Sequence, residues 1–161
     1  MARKVETFEF DPAEPGDVVA AMGRLATAGD GWINLLPGVD DADAREPEVR
    51  SPFSLLFGQA QAPVTMSTWL PAKLRSAGAG EMTLGLMHPR GRHAVAQLRD
   101  AGVPLPDGWR VRQDHARRGL IVVVPASVPH LAVLDWAVRA GSALAMVGLT
   151  GRWQARVYLP A

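Results

Sequence analysis

The sequence contains no cysteine, a single tyrosine and only two lysines among its 17 basic residues. Without cysteine, the chain has no disulfide bonds, no thiolate nucleophile, no zinc ribbon and no iron–sulfur ligands. This composition is compatible with a reducing compartment. The preference for arginine over lysine, together with 25 alanines, is typical of a GC-rich bacterial genome. We therefore expect a cytoplasmic bacterial protein.

Motifs of the common enzyme classes are also missing. No glycine-rich loop leads from a strand into a helix to form a phosphate cradle, and no G-x-S-x-G sequence marks a nucleophilic serine. Gly78, Gly80 and Gly85 lead into a predicted strand instead of leaving one, which is the wrong context for dinucleotide binding. The four histidines do not recur at the i, i+4 spacing of a helical metal site. We therefore expect no cofactor and no metal ion.

One apolar stretch, from Leu131 to Leu149, approaches the length of a membrane span, but it contains Asp135 and Arg139. Each of these charges would cost roughly 2.5 to 3.5 kcal/mol near the centre of a bilayer. The window from Val128 to Met146 therefore predicts a core helix and not a membrane anchor. Glutamates near the start of the chain interrupt the apolar run that an export signal needs.

Charge is distributed unevenly, although the net charge is only +1. Residues 1–50 hold 11 acidic against 5 basic residues, and residues 51–161 hold 12 basic against 5 acidic ones. In the basic part, Arg110 and Arg112 fall on one face of a predicted strand and form a candidate basic patch for phosphate contact. The predicted strands TLGLM and GLIVVV lack the aromatic side chains on which RNA-recognition modules stack bases. Nucleic acid is therefore not an expected partner.

A recurring order of elements runs along the chain. Three times, an apolar strand-like run is followed by an alanine-rich amphipathic stretch and then by a tryptophan that opens another strand. Apolar residues from Val18 to Ala26 at helical spacing predict the first helix, with Gly29 as its end. Trp32, Trp109 and Trp153 occupy equivalent positions. We expect these tryptophans to cap the core, with a stacking platform for bases or sugars as the alternative.

Composition and element order favour a single domain of the α+β or α/β class, because 161 residues with 48% apolar side chains can bury a core. We expect internal units at residues 4–36, 53–70 (hairpin-like strands), 82–113 and 119–160, with an exposed acidic loop at residues 37–52 and a flexible connection at 71–80. The last two units repeat strand-helix-strand, which predicts a ferredoxin-like βαββαβ arrangement in the C-terminal half. Its sheet would present apolar residues to both sides, so we expect the N-terminal half or a dimer partner to cover the second face.

The segment HPRGRH is the strongest candidate site in the sequence. It runs from the end of a predicted strand into the start of a helix, where free backbone N–H groups attract anions. The expected anion-binding loop consists of His88, Arg90, Gly91, Arg92 and His93. A solvated charged turn is the alternative interpretation.

Two classes of function remain open. The residues show no catalytic set, which favours a non-enzymatic binding or protein-interaction module. Its partner would be an anionic small molecule, a second copy of the chain or another protein. The alternative is an enzyme that acts on a phosphorylated or carboxylated small molecule, with Arg90 and Arg92 holding the anion and His88 or His93 carrying a proton.

Overall fold

The protein is described by a computed structural model that covers residues 2–40, 63–75 and 78–161. These residues form nine strands and three helices in the following order: β1 (Val5–Phe10), α1 (Gly16–Ala28), β2 (Trp32–Val39), β3 (Met66–Leu70), β4 (Leu74–Arg75), β5 (Gly78–Ala79), β6 (Met82–Met87), α2 (Ala94–Asp100), β7 (Arg110–His115), β8 (Gly119–Val124), α3 (His130–Leu144) and β9 (Leu149–Tyr158).

Seven strands form one antiparallel sheet with the order β1-β9-β2-β3-β6-β8-β7, and the short strands β4 and β5 pair with each other. The fold is therefore of the mixed α+β class. The first and last strands of the chain are neighbours, since β1 pairs with β9 from Val5–Tyr158 to Phe10–Trp153. β7 lies at the other edge, where its charged side chains discourage pairing with another chain.

The ferredoxin-like arrangement is not confirmed. The neighbours β6, β8 and β7 have the order that the first three strands of such a unit would have. However, β2 and β3 lie between β6 and β9, so the last strand does not return to the strand that begins the C-terminal half. Strands of the N-terminal half thus extend the sheet sideways instead of covering it. The segment FSLLF, which also belonged to the predicted cover, lies outside the described residues.

The helices pack on one face of the sheet, where they bury the main core. α1 contacts α3 and β1, while α3 also contacts α2, β2 and β3. β6 directs Met82, Leu84 and Leu86 towards the helices, and all three are buried. Alternation of buried and half-buried residues along this strand follows from the two-residue period of an extended chain.

α1 confirms the helix that the spacing of apolar residues predicts. Val18, Met22 and Leu25 are buried on its inner side. Gly29 ends the helix in a left-handed conformation with φ 65°, and its N–H donates to the carbonyls of Leu25 and Ala26. Glycine adopts this conformation without the steric cost that a Cβ atom brings.

α3 confirms the core helix predicted between Val128 and Met146. Its buried side chains are Val133, Leu134, Trp136, Ala137, Ala140 and Leu144, with Gly141 also buried. Gly141 allows close contact with the sheet, because a Cβ at this position would lie 2.8 Å from the Trp153 ring. Asp135 and Arg139 form an exposed ion pair of 3.6 Å on the outer side. None of the helices in the described ranges is long and apolar enough to cross a membrane.

Two connecting segments differ from the sequence prediction. β2 continues to Val39, so the strand includes the first residues of the predicted acidic loop 37–52. The part of this loop beyond Asp40 lies outside the described residues. The predicted flexible connection at 71–80 instead contains the β4–β5 pairing, with Leu74 opposite Ala79. Two short strands can pair through backbone hydrogen bonds alone, which apolar periodicity does not reveal.

The three tryptophans do not share one environment. Trp109 and Trp153 are buried in the core. Trp32 points to the opposite side of the sheet, where its ring stacks on Tyr158 with centroids 4.6 Å apart. Successive side chains of a strand point to opposite faces of the sheet, so Trp32 faces away from its neighbour Ile33, which is buried in the core.

Candidate functional site

The face of the sheet on which none of the described helices packs carries the candidate site. We call it the helix-free face. The register places side chains of neighbouring strands in rows across this face, because directly opposite residues point the same way. One row runs from Asn34 through Thr68 and Gly85 to Ile121. A second row contains Trp32, Leu70 and Thr83.

Apart from Asn34, the residues of these rows line a groove of about 410 Å³. Most of its surface is apolar, and its size is in the range of small-molecule sites. Its lining consists of Gly29, Asp30, Gly31, Trp32, Thr68, Leu70, Pro71, Lys73, Thr83, Gly85, Leu86, Met87, Arg112, Arg118, Leu120 and Ile121. A concave apolar surface with a few polar groups is the usual form of a binding site.

Gly85 creates the depth of the groove at its centre. The residue lies in the middle of β6, opposite Thr68 on one side and Ile121 on the other. A Cβ atom at Gly85 would meet no heavy atom within 4 Å. The missing side chain therefore leaves open space between two side-chain-bearing neighbours. A glycine in a strand commonly marks a place where another group approaches the backbone.

Arg112 and Arg118 line the groove at its β7–β8 end. Arg112 lies where the register between β7 and β8 shifts, so it has no directly opposite residue on β8. Both side chains are exposed. In the parts of the chain that the structure describes, neither guanidinium forms an ion pair with a carboxylate. Among the described residues, the β7–β8 end of the groove therefore carries positive charge.

The end of the groove near α1 has a different electrostatic character. Asp30 accepts two hydrogen bonds from the guanidinium of Arg3, at 3.0 and 3.1 Å. These bonds, together with a backbone hydrogen bond from Gly31, hold the pKa of the Asp30 carboxyl below its usual value. The same Arg3 lies over the ring of Trp32, 5.1 Å from its centroid. An ionised carboxylate that is already paired thus occupies this end.

The loop predicted to bind anions has a geometry that its sequence did not reveal. α2 begins at Ala94, directly after His93, but its first N–H groups are not free. The carboxylate of Asp114 on β7 accepts hydrogen bonds of 3.1 Å from the N–H groups of Ala94 and Val95. A carboxylate at this position satisfies the backbone donors of the first turn, as an N-cap side chain does. The N–H groups of Ala94 and Val95, at the helix start that was expected to attract an anion, are therefore occupied.

The side chains of the predicted loop also diverge. Arg90 donates a hydrogen bond of 2.8 Å to the carbonyl of Ala145 after α3, and His88 is buried. Gly91 shapes the turn with φ 72°. Arg92 and His93 line a separate hollow of about 460 Å³, whose other lining residues are Asp114, His115, Ala116 and Arg117. Anion binding at His88–His93 stays a prediction, with Arg92 and His93 as the two members that share this hollow.

His88 is held as a neutral imidazole. Its Nδ1 accepts a hydrogen bond of 3.2 Å from the backbone N–H of Arg90, so the proton of the neutral ring is on Nε2. That Nε2 is buried and has no hydrogen-bond partner among the described groups. Burial lowers the pKa of His88, and the charge of Asp114 opposes this shift. Burial also lowers the pKa of His130 on α3.

We expect stability to fall as the pH drops below about 6.5, because the unfolded chain then binds protons that the folded His88 resists. The loss from this residue is at most about 1.4 kcal/mol per pH unit, and it stops once the folded imidazole also titrates. Urea unfolding between about pH 7.5 and about pH 5.5 measures the slope. In His88→Asn, the amide oxygen can accept the Arg90 N–H, so the slope should decrease. Equal slopes in both proteins would contradict the assignment.

The predicted basic patch is divided by the structure. Arg110 forms hydrogen bonds of 2.7 and 2.9 Å with both carboxylate oxygens of Glu81, so its charge is paired. Arg112 lines the groove instead. The use of this pair for phosphate contact stays a prediction. The sequence pattern did not indicate Arg118 or Lys73 as site residues, and Gly85 was considered only for dinucleotide binding, although a glycine inside the apolar run TLGLM was a usable signal.

No protein family, curated protein or solved structure matches this chain. Within the described residues, no three histidine, aspartate or glutamate side chains come together in a way that could hold a metal ion. The geometry of the groove and its lining residues are therefore the basis on which we infer a function.

Proposed function

We propose that the protein is a non-enzymatic binding module that holds a small organic molecule with an apolar body in the groove of the helix-free face. The observation that carries the proposal is the apolar cavity of about 410 Å³ above Gly85. An apolar body in this space removes its own surface and that of Ile121 and Leu70 from water, at roughly 25 cal/mol for each Å² buried.

Polar groups support an oriented ligand rather than a disordered one. Thr68, which lines the groove, donates a hydrogen bond of 2.9 Å to the Asn34 side chain, and both residues are buried. Thr83 and the rim residue Lys73 add further polar groups. A small number of placed polar groups on an apolar surface is what gives such sites their selectivity.

We place this module in the bacterial cytoplasm, because the absence of cysteine supports a reducing compartment.

The test uses N-phenyl-1-naphthylamine, a neutral probe whose fluorescence rises when it enters an apolar site. We expect saturable binding to the purified full-length chain. Gly85→Leu fills the open space without meeting another atom at Cβ, so it should weaken binding by about tenfold or more, the effect of losing about 1.4 kcal/mol of contact free energy.

Gly23→Leu is the matched control, because Gly23 lies on α1 and a Cβ there also meets no atom within 4 Å. This variant should bind the probe as the parent chain does. Circular dichroism checks that both variants are folded. Absence of saturable binding, or equal binding by Gly85→Leu and the parent chain, would refute the proposal. A stable dimer that excludes the probe would instead assign the groove to a second copy of the chain.

A further inference from the structure

The groove is asymmetric in charge, and this asymmetry selects among apolar ligands. Arg112 and Arg118 line the end formed by β7 and β8. Asp30 lines the opposite end, beyond Trp32. The two ends lie across five strands of the sheet, from β2 to β7. An elongated ligand in this groove therefore meets Arg112 and Arg118 at one end and the Asp30 carboxylate, paired with Arg3, at the other, while Lys73 adds a third cation to the lining.

From this geometry we infer that the ligand class of the groove is an amphipathic organic anion, with its carboxylate, sulfonate or phosphate at Arg112 and Arg118 and its apolar body over Gly85. The inference rests on the proposed function, since it names the ligand of the same groove. A guanidinium matches these anions because its planar donors form paired hydrogen bonds with their oxygens.

The opposite orientation is unfavourable. Asp30 already accepts two hydrogen bonds from the Arg3 guanidinium and a further one of 3.3 Å from the N–H of Ala161. An anion placed at that end would meet the Asp30 carboxylate, and Arg3, the cation beside it, is already paired with Asp30. Like charges repel at short range, so the ligand's anionic group is directed to the β7–β8 end. A cationic ligand is disfavoured by Arg112 and Arg118 for the same reason.

The apolar part of the groove explains why a bare inorganic anion is not the ligand. Between the two arginines and Trp32, Ile121, Leu70 and Gly85 form a mostly apolar surface, beside the hydroxyl groups of Thr68 and Thr83. Exposed ion pairs alone contribute little in water, typically less than about 1 kcal/mol each. An aromatic or aliphatic body supplies the larger share of binding, and the arginines supply orientation and preference for negative charge.

The test compares two probes of nearly the same shape: 8-anilino-1-naphthalenesulfonate, which carries one negative charge, and the neutral N-phenyl-1-naphthylamine. We expect the sulfonate to bind about tenfold more tightly, as two charge-assisted contacts of about 0.7 kcal/mol each would give. The double variant Arg112→Gln, Arg118→Gln should lose this preference and keep its affinity for the neutral probe. Added salt should reduce the preference in the parent chain.

The control is the double variant Arg92→Gln, Arg117→Gln, which removes the same charge from the separate hollow beside α2. It should keep the preference for the sulfonate. If this control loses the preference and the groove variant keeps it, the anion binds at the hollow and the inference is wrong. Equal affinity of the parent chain for both probes also overturns the inference while leaving the proposed function intact. Failure of both probes to bind removes the proposed function itself.

Discussion

Replacement of Trp136 by alanine should lower the free energy of unfolding by about 3 to 5 kcal/mol, the range for a buried tryptophan. The side chain is 3% exposed and lies on the inner side of α3. Its ring packs edge to face against Trp109 with centroids 5.3 Å apart. Its Nε1–H donates a hydrogen bond of 3.0 Å to the carbonyl of Pro104, which ties α3 to the segment between α2 and β7.

Trp136→Phe separates packing from hydrogen bonding. Phenylalanine keeps an aromatic ring near Trp109 but leaves the Pro104 carbonyl without its donor, so a smaller loss of about 1 to 3 kcal/mol is expected. Leu131→Ala is the control on the same helix, because Leu131 is 53% exposed; its change should stay within about 0.5 kcal/mol. Urea unfolding of the three variants measures these differences. An alanine variant as stable as the Leu131 control would contradict the packing described for α3.

Replacement of Gly119 by alanine should also destabilise the fold strongly, by about 3 kcal/mol, from backbone strain combined with overpacking. Gly119 begins β8 with φ 80°, a conformation that residues with a Cβ atom rarely adopt. A Cβ would also overlap the carbonyl oxygen of Leu86 on the neighbouring strand β6. Relief of this overlap requires a shift of backbone, because the Leu86 oxygen belongs to the main chain.

Gly151→Ala is the matched control, since Gly151 has φ 85° and a Cβ there meets no atom within 4 Å. It should therefore show the conformational strain alone, about 1 kcal/mol. The difference between the two variants, measured by chemical unfolding, isolates the contact with β6. If Gly119→Ala costs no more than Gly151→Ala, then β6 and β8 do not approach each other at this point as closely as the structure indicates.

Local features of this protein were determined by the sequence itself. The stripe from Val18 to Ala26 specifies α1, and Gly29 ends it, because helical periodicity and a left-handed terminal residue are properties of a short segment. The apolar run at Leu120–Val124 similarly specifies an interior strand. These elements need no information about distant residues.

Only the tertiary structure decided which strands are neighbours and where the groove lies. An alternating strand does not encode its partner, so the placement of β2 and β3 between β9 and β6 was not predictable from the separate patterns. Asp114 reaches the first turn of α2 from β7, a contact between residues about 20 positions apart that occupies the donors expected to bind an anion. Gly85, Arg118 and Trp32 likewise line one groove because sheet pairing assembles segments whose separation along the chain is large, and local periodicity carries no record of such contacts.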